Sequence, residues 1–243
     1  LALLLAAVFG IGLFVLAETR AASPLIQLAV FRNPVLGAGF AMSLLVTTVV
    51  MATLVVGPFY LSGALGLDAA RVGLVMSSGP MVAALTGVPA GRMVDRFGAH
   101  LMSIAGLIGM AAGSSVLPAL ATRFGVPGYV APLVVITAGY ALFQTANNTA
   151  VMTDSHPDRR GVTSGMLNLS RNLGLITGAS VMGAVFAFAS ATIDITTARP
   201  EAVATGMRST FAVGAILIVL ALTIAVGTYR RTLRHLAVAP EAG

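Results

Sequence analysis

The stretch GRMVDRFG (Gly91–Gly98) sets three charges, Arg92, Asp95 and Arg96, between two apolar runs. Each of those runs is about 20 residues long, the length that crosses a bilayer as a helix. A single Asp or Arg at the centre of a membrane helix costs about 2.5–3.5 kcal/mol on the insertion scale. Three together therefore mark an aqueous turn between two membrane-crossing helices, and the chain is read as an integral membrane protein.

Composition agrees. Only 9% of the 243 residues are charged while 57% are hydrophobic, against about 25% charged in a soluble domain. A net charge of +6 could indicate nucleic-acid binding. The basic residues, however, form no run or solvated face; they fall at the ends of apolar segments, which excludes that class. No Cys is present, so disulfides and thiolate metal sites are excluded, and all 14 basic residues are Arg. The opening LALLLAAVFG lacks the charged leader region of a signal peptide. It reads as a helix entered partway, with an N-terminal portion expected upstream.

Seven crossings are expected, over residues 1–17, 35–61, 71–91, 99–121, 128–152, 162–189 and 207–229. The turns between them carry Asn33-Pro34, Gly63 with Gly66, Gly125-Val126-Pro127, and Pro157. If the first crossing ends in the cytoplasm, that side holds Arg20, Arg32, Arg92, Arg96, Arg159, Arg160, Arg230, Arg231 and Arg234. The opposite side holds Arg71, Arg123, Arg199 and Arg208. The excess follows the positive-inside rule and places the tail, 230–243, in the cytoplasm. Tyr60, Tyr129 and Tyr229 are expected as interfacial anchors near segment ends. Gly106, Gly109 and Gly113, and again Gly174 and Gly178, have the spacing that lets helix backbones approach in lipid. Pro80 and Pro89 are expected to bend the third crossing.

Two polar stripes interrupt the apolar pattern. Thr137, Tyr140, Gln144, Asn147 and Asn148 share a face of the fifth crossing, and Ser164, Asn168, Arg171 and Asn172 one side of the sixth. Amides in hydrocarbon need partners or water. They line a hydrated solute path or bond neighbouring helices. Arg171, about 15 Å along its helix from Gly161, faces protein, water or, by snorkelling, the headgroups. No acidic residue lies deep in a crossing, so a proton-coupled cycle would need its titrating group in the upstream portion. His100, His156 and His235 sit at cytoplasmic edges, where solvation is the simplest reading. No metal spacing and no nucleophile–base arrangement is visible, so neither an enzyme nor a cofactor is expected. In the charged turn, Arg92 complements the end of one helix, Asp95 is expected to cap the start of the next, and Gly91 and Gly98 permit the tight reversal. These charges either cap a soluble turn or latch the cytoplasmic side.

GRMVDRFG resembles the cytoplasmic turn motif of the major facilitator superfamily, with Gly91, Asp95, Arg96 and Gly98 matching and Ala99 and His100 standing where basic residues are usual. SPLIQLAVFRNP (Ser23–Pro34), PFYLSGALGLDAARVGL (Pro58–Leu74) and NNTAVMTDSHPDRRGVTSGMLNLSRNLG (Asn147–Gly174) are similar to the 14-helix drug:proton antiporter branch. The second has Ser62 where that branch often has Gln. The resemblance implies an all-α membrane fold: 1–17 part of an extra central helix, 18–34 a cytoplasmic linker, and 35–229 the C-terminal six-helix bundle. It also implies a second, N-terminal half, holding the family's antiporter signature and best-known membrane carboxylates. A bacterial exporter of drugs or other lipophilic molecules, driven by protons, is expected in the cell membrane. Tyr140, Gln144, Asn147, Asn148, Asn168, Arg171 and Asn172 are the candidates for the solute path, and Gly91, Arg92, Asp95, Arg96 and Gly98 for the cytoplasmic gate. An uptake carrier or narrow metabolite exporter on the same fold, or a non-transporting fragment or scaffold, are the competing readings.

Overall fold

The computed structural model describes residues 9, 12–13, 33–190 and 199–238, the last four without their side chains. The expected crossing at 1–17, most of the linker at 18–34 and the end of the tail lie outside these residues. The elements are α1 (Pro34–Phe59), continued by a π-helical turn (Tyr60–Ala64), α2 (Ala69–Phe97), α3 (Ala99–Asp154), a 3-10 turn (Pro157–Arg159), α4 (Arg160–Ala189) and α5 (Pro200–Val238). Among the described residues these form an all-α bundle, and every one of the five helices is long and apolar enough to span a bilayer.

α3 holds two crossings. Its 56 residues would extend about 84 Å as a straight helix, nearly three times the hydrocarbon core of about 30 Å. The run reverses at Gly125, whose φ of 62° and ψ of −132° break the helix at one residue. A non-glycine side chain is disfavoured at that positive φ. The two limbs then pack antiparallel. A Cβ on Gly106 would stand 2.6 Å from the Gly139 oxygen, and one on Gly113 2.6 Å from the Ile136 side chain. Gly109 meets only ordinary contact at 3.8 Å. The expected loop around Gly125-Val126-Pro127 is thus compressed to a single residue.

α1 is the central helix, packed against α3, α4 and α5. It starts where the sequence indicates: Asn33 Oδ1 accepts from the Val35 N–H at 2.9 Å, and Pro34 follows at the first helical position. Gly174 and Gly178 let α4 lie directly on it. A Cβ on Gly174 would overlap Thr47 Oγ1 and the Leu44 oxygen, and one on Gly178 would lie 2.6 Å from the Thr48 oxygen. The space left free is used for hydrogen bonding. Thr47 Oγ1 approaches the Arg171 carbonyl at 3.2 Å, and Thr48 Oγ1 donates to the Gly174 carbonyl at 3.1 Å. In lipid such packing and polar contacts replace the hydrophobic driving force between helices. α2 packs chiefly on α3 and leaves Leu74, Met81, Leu85 and Val88 exposed. It remains continuous through Pro80 and Pro89.

Three expectations are corrected. Asp95 lies in the last turn of α2, not at the start of α3; the α3 N-cap is Gly98, at φ 85°, with no side-chain hydrogen bond. The helix runs through the charged island because Arg92, Asp95 and Arg96 are tolerated in its exposed last two turns, and only Gly98 reverses the chain. Tyr60 and Tyr129 are not interfacial anchors. Both are fully buried and stack on each other with centroids 6.1 Å apart, and Gly57 makes room for the Tyr129 hydroxyl. Tyr229 instead meets the half-buried His100 ring at 6.3 Å, so His100 is not simply solvated.

Candidate functional site: a polar face on two helices

The second limb of α3 carries amides on two different sides. Asn147, 2% exposed, points into α1, where its Nδ2 donates to the Gly39 carbonyl at 3.1 Å and approaches Ser43 Oγ at 2.9 Å. Its helix neighbour Asn148, turned about 100° further round the axis, points to α4. There Arg171 Nη2 donates to Asn148 Oδ1 at 3.2 Å. The Gln144 amide is placed with its oxygen toward the same guanidinium, an orientation in which it accepts from Nη1 at 3.2 Å and Nη2 at 3.1 Å. Tyr140, one turn further along, is half-buried and within electrostatic reach of Arg171.

Arg171 is thus held between two membrane-crossing helices by neutral oxygens. Among the described residues no carboxylate pairs with it. The bonds fix the direction of the guanidinium but leave its full charge uncompensated, and Arg keeps that charge in any protein environment. Gln144, Asn148 and Arg171 are all only partly buried. Beyond them the polar face continues along α4 to Asn168 and Asn172, both exposed on the bundle surface. An amide facing hydrocarbon without a partner costs free energy, so this face of the bundle is suited to water or further protein rather than to lipid tails.

The structure therefore brings Tyr140, Gln144, Asn148 and Arg171 into one cluster, sets Asn168 and Asn172 on its open side, and separates Asn147 into the packing of α1. Gly91, Arg92, Asp95, Arg96 and Gly98 lie apart, at the α2–α3 reversal. Arg92, Asp95 and Arg96 are exposed and make no ion pair among the described residues. Arg96 lies over its neighbour Phe97 at 5.3 Å. A tie on this side escaped the sequence reading. The Asn33 amide donates to the Asp154 carboxylate, and the Ser155 and Thr163 hydroxyls bond at 2.7 Å, joining the ends of α1, α3 and α4. The signal available was only that Asn33 and Asp154 both sit at helix ends.

A multi-helix membrane bundle with an uncompensated arginine and amides on one face defines the class: a polytopic membrane protein with a hydrophilic intramembrane surface. The chain belongs to the Major Facilitator Superfamily, whose family pattern matches residues 1–179 and 40–242. It is 31% identical over 159 residues to "Uncharacterized transporter YebQ" of Escherichia coli (strain K12), covering 65% of this chain and 35% of that protein. It is 25% identical over 200 residues to "Multidrug efflux pump LfrA" of Mycolicibacterium smegmatis, covering 78% and 39%. It is 31% identical over 186 residues to "Drug efflux pump JefA" of Mycobacterium tuberculosis, covering 76% and 36%. The chain spans little more than a third of the length of these relatives, whose names are those of transporters and not of enzymes.

Proposed function

We propose that this chain is the C-terminal portion of a bacterial exporter of drugs or other small lipophilic molecules, working by proton antiport with alternating access. Family membership and the names of the relatives support the transport class. The observation that carries the site is the guanidinium of Arg171, bonded by Gln144 and Asn148 on a face that runs on to Asn168 and Asn172.

In this reading Tyr140, Gln144, Asn148 and Arg171 line one wall of the solute path. Asn168 and Asn172 continue that wall, and Asn147 holds α3 to α1 beside it. A solute hydrogen-bonds the amides and the phenol as it passes, while the fixed cation sets the electrostatics of the wall. An N-terminal half supplies the opposite wall and the titrating carboxylate for proton exchange, because the described crossings contain no acidic residue deep in the bilayer. Arg92, Asp95 and Arg96 meet the ends of that half when the cytoplasmic side closes. The protein sits in the bacterial cell membrane with its C-terminal tail in the cytoplasm.

The test is active efflux of ethidium and of a chemically unrelated lipophilic cation from cells making the full-length protein, with collapse of the proton gradient as control. Export of both that stops with the gradient is the expected result. Export of neither, or export that persists without the gradient, contradicts the reading. Arg171→Gln, matched for membrane abundance, then tests the wall: full efflux in that variant removes Arg171 from the path.

A further inference from the structure

Away from the polar face, α3 and α5 leave an open groove of about 760 Å³ between them. Arg123 and Arg208 stand at one end of it; Pro118, Ala119, Ala212 and Ile216 line its walls together with three hydroxyls, of which those of Ser115 and Thr122 bond back to carbonyls of their own helix. Arg123 lies two residues before the reversal at Gly125, and Arg208 lies in the opening turns of α5, so both sit at the same end of the bundle. Both are exposed and neither makes an ion pair or a hydrogen bond among the described residues. Arg123 lies over its neighbour Phe124 at 5.6 Å. Among the described residues no acidic side chain lines the groove.

Two unpaired cations at one end and a mainly apolar trough leading inward is the pattern of a headgroup and a chain. Ile216 lies eight residues beyond Arg208, about 12 Å along the helix, close to half of the hydrocarbon thickness of about 30 Å. Close to the lining residues in sequence, Val116 and Phe124 on α3 and Val219 and Leu220 on α5 are also exposed. That is a surface suited to acyl chains and not to water. We propose that this groove binds an anionic phospholipid of the leaflet at the Arg123 and Arg208 end, its phosphate between the two guanidinium groups and one acyl chain along Pro118, Ala212 and Ile216. Net negative charge selects the lipid, since among the described residues no carboxylate lines the groove or pairs with either arginine, and a zwitterionic headgroup brings its own cation. The site is independent of the solute path and of the direction of transport.

The test is native mass spectrometry of the full-length protein in detergent, titrated separately with phosphatidylglycerol and phosphatidylcholine. Phosphatidylglycerol should bind more tightly. Arg123→Gln with Arg208→Gln should weaken it about thirtyfold, the equivalent of ~1 kcal/mol for each arginine at a membrane surface, and leave phosphatidylcholine unchanged. Ile216→Trp keeps both charges at an exposed position and should also weaken phosphatidylglycerol by filling the trough. Arg230→Gln with Arg234→Gln, at the other end of α5, should have no effect. Equal affinity for the two lipids, wild-type binding by the double arginine variant or by Ile216→Trp, or equal displacement by inorganic phosphate would each overturn the proposal.

Discussion

Asn147 and Asn148 are neighbours in sequence and belong to different regions of the molecule. Asn147 sits in the close-packed seam around α1, bonded to Gly39 and Ser43, while on another side of α1 Gly174 and Gly178 let α4 approach just as closely. Its donors find their acceptors inside the bundle. Asn148 belongs to the polar face, where Arg171, Asn168 and Asn172 remain partly or wholly exposed. The two regions use the same side-chain chemistry to opposite ends. In the seam a hydrogen bond closes contact between helices, whereas on the face it orients a charge that stays available.

Substitutions should separate the two regions, the largest effect coming from the seam. Gly174→Leu forces a side chain into Thr47 and the Leu44 carbonyl; overpacking there should cost about 3 kcal/mol and abolish folded protein, read as loss of a monodisperse peak in detergent. Asn147→Leu leaves Gly39 and Ser43 without their donor and should cost about 2 kcal/mol, read as a lowered thermal midpoint, with transport falling only as folded protein falls. Asn148→Leu should leave the midpoint within about 1 kcal/mol of wild type, with efflux reduced. Arg171→Met should reduce efflux by about tenfold or more, the equivalent of ~1.4 kcal/mol, without a matching loss of stability. Smallest of all, Gly109→Ala meets only ordinary contact and should change stability by no more than about 0.5 kcal/mol. Gly106→Ala, against the Gly139 backbone, should be clearly worse. Equal effects at Gly106 and Gly109 would mean that the α3 limbs pack in another register.

Much of the fold was legible because bilayer thickness leaves few choices. The described crossings follow the apolar runs, and Asn33-Pro34 starts α1 as helix-start chemistry requires. The charged island was harder. Charge density says that Gly91–Gly98 is wet, but helix and loop are equally wet there, so Asp95 was placed one helix too late. Gly125 was legible as a breaker, but not as the whole turn, since the length of a reversal depends on how close its limbs approach. That closeness rests on Gly139, which carries no signal until Gly106 is seen opposite it. The site was legible as a stripe and not as a division. Periodicity assigns Asn147 and Asn148 to one broad face, and only the positions of α1 and α4 decide which of them is sealed and which is open. Tyr60 and Tyr129 failed for a related reason: a ring near a segment end suits the interface unless a glycine such as Gly57 opens a place for it inside.

The chain has no cysteine, so single Cys substitutions in the full-length protein can map water directly once any cysteines elsewhere in it are replaced. A small, charged, membrane-impermeant thiol reagent should modify Asn148→Cys and Asn172→Cys in membrane vesicles open to the cytoplasmic side. It should leave Asn147→Cys, in the seam, and Ile216→Cys, on the apolar flank, unmodified. Asn172→Cys as inert as Ile216→Cys would contradict a hydrated wall on α3 and α4.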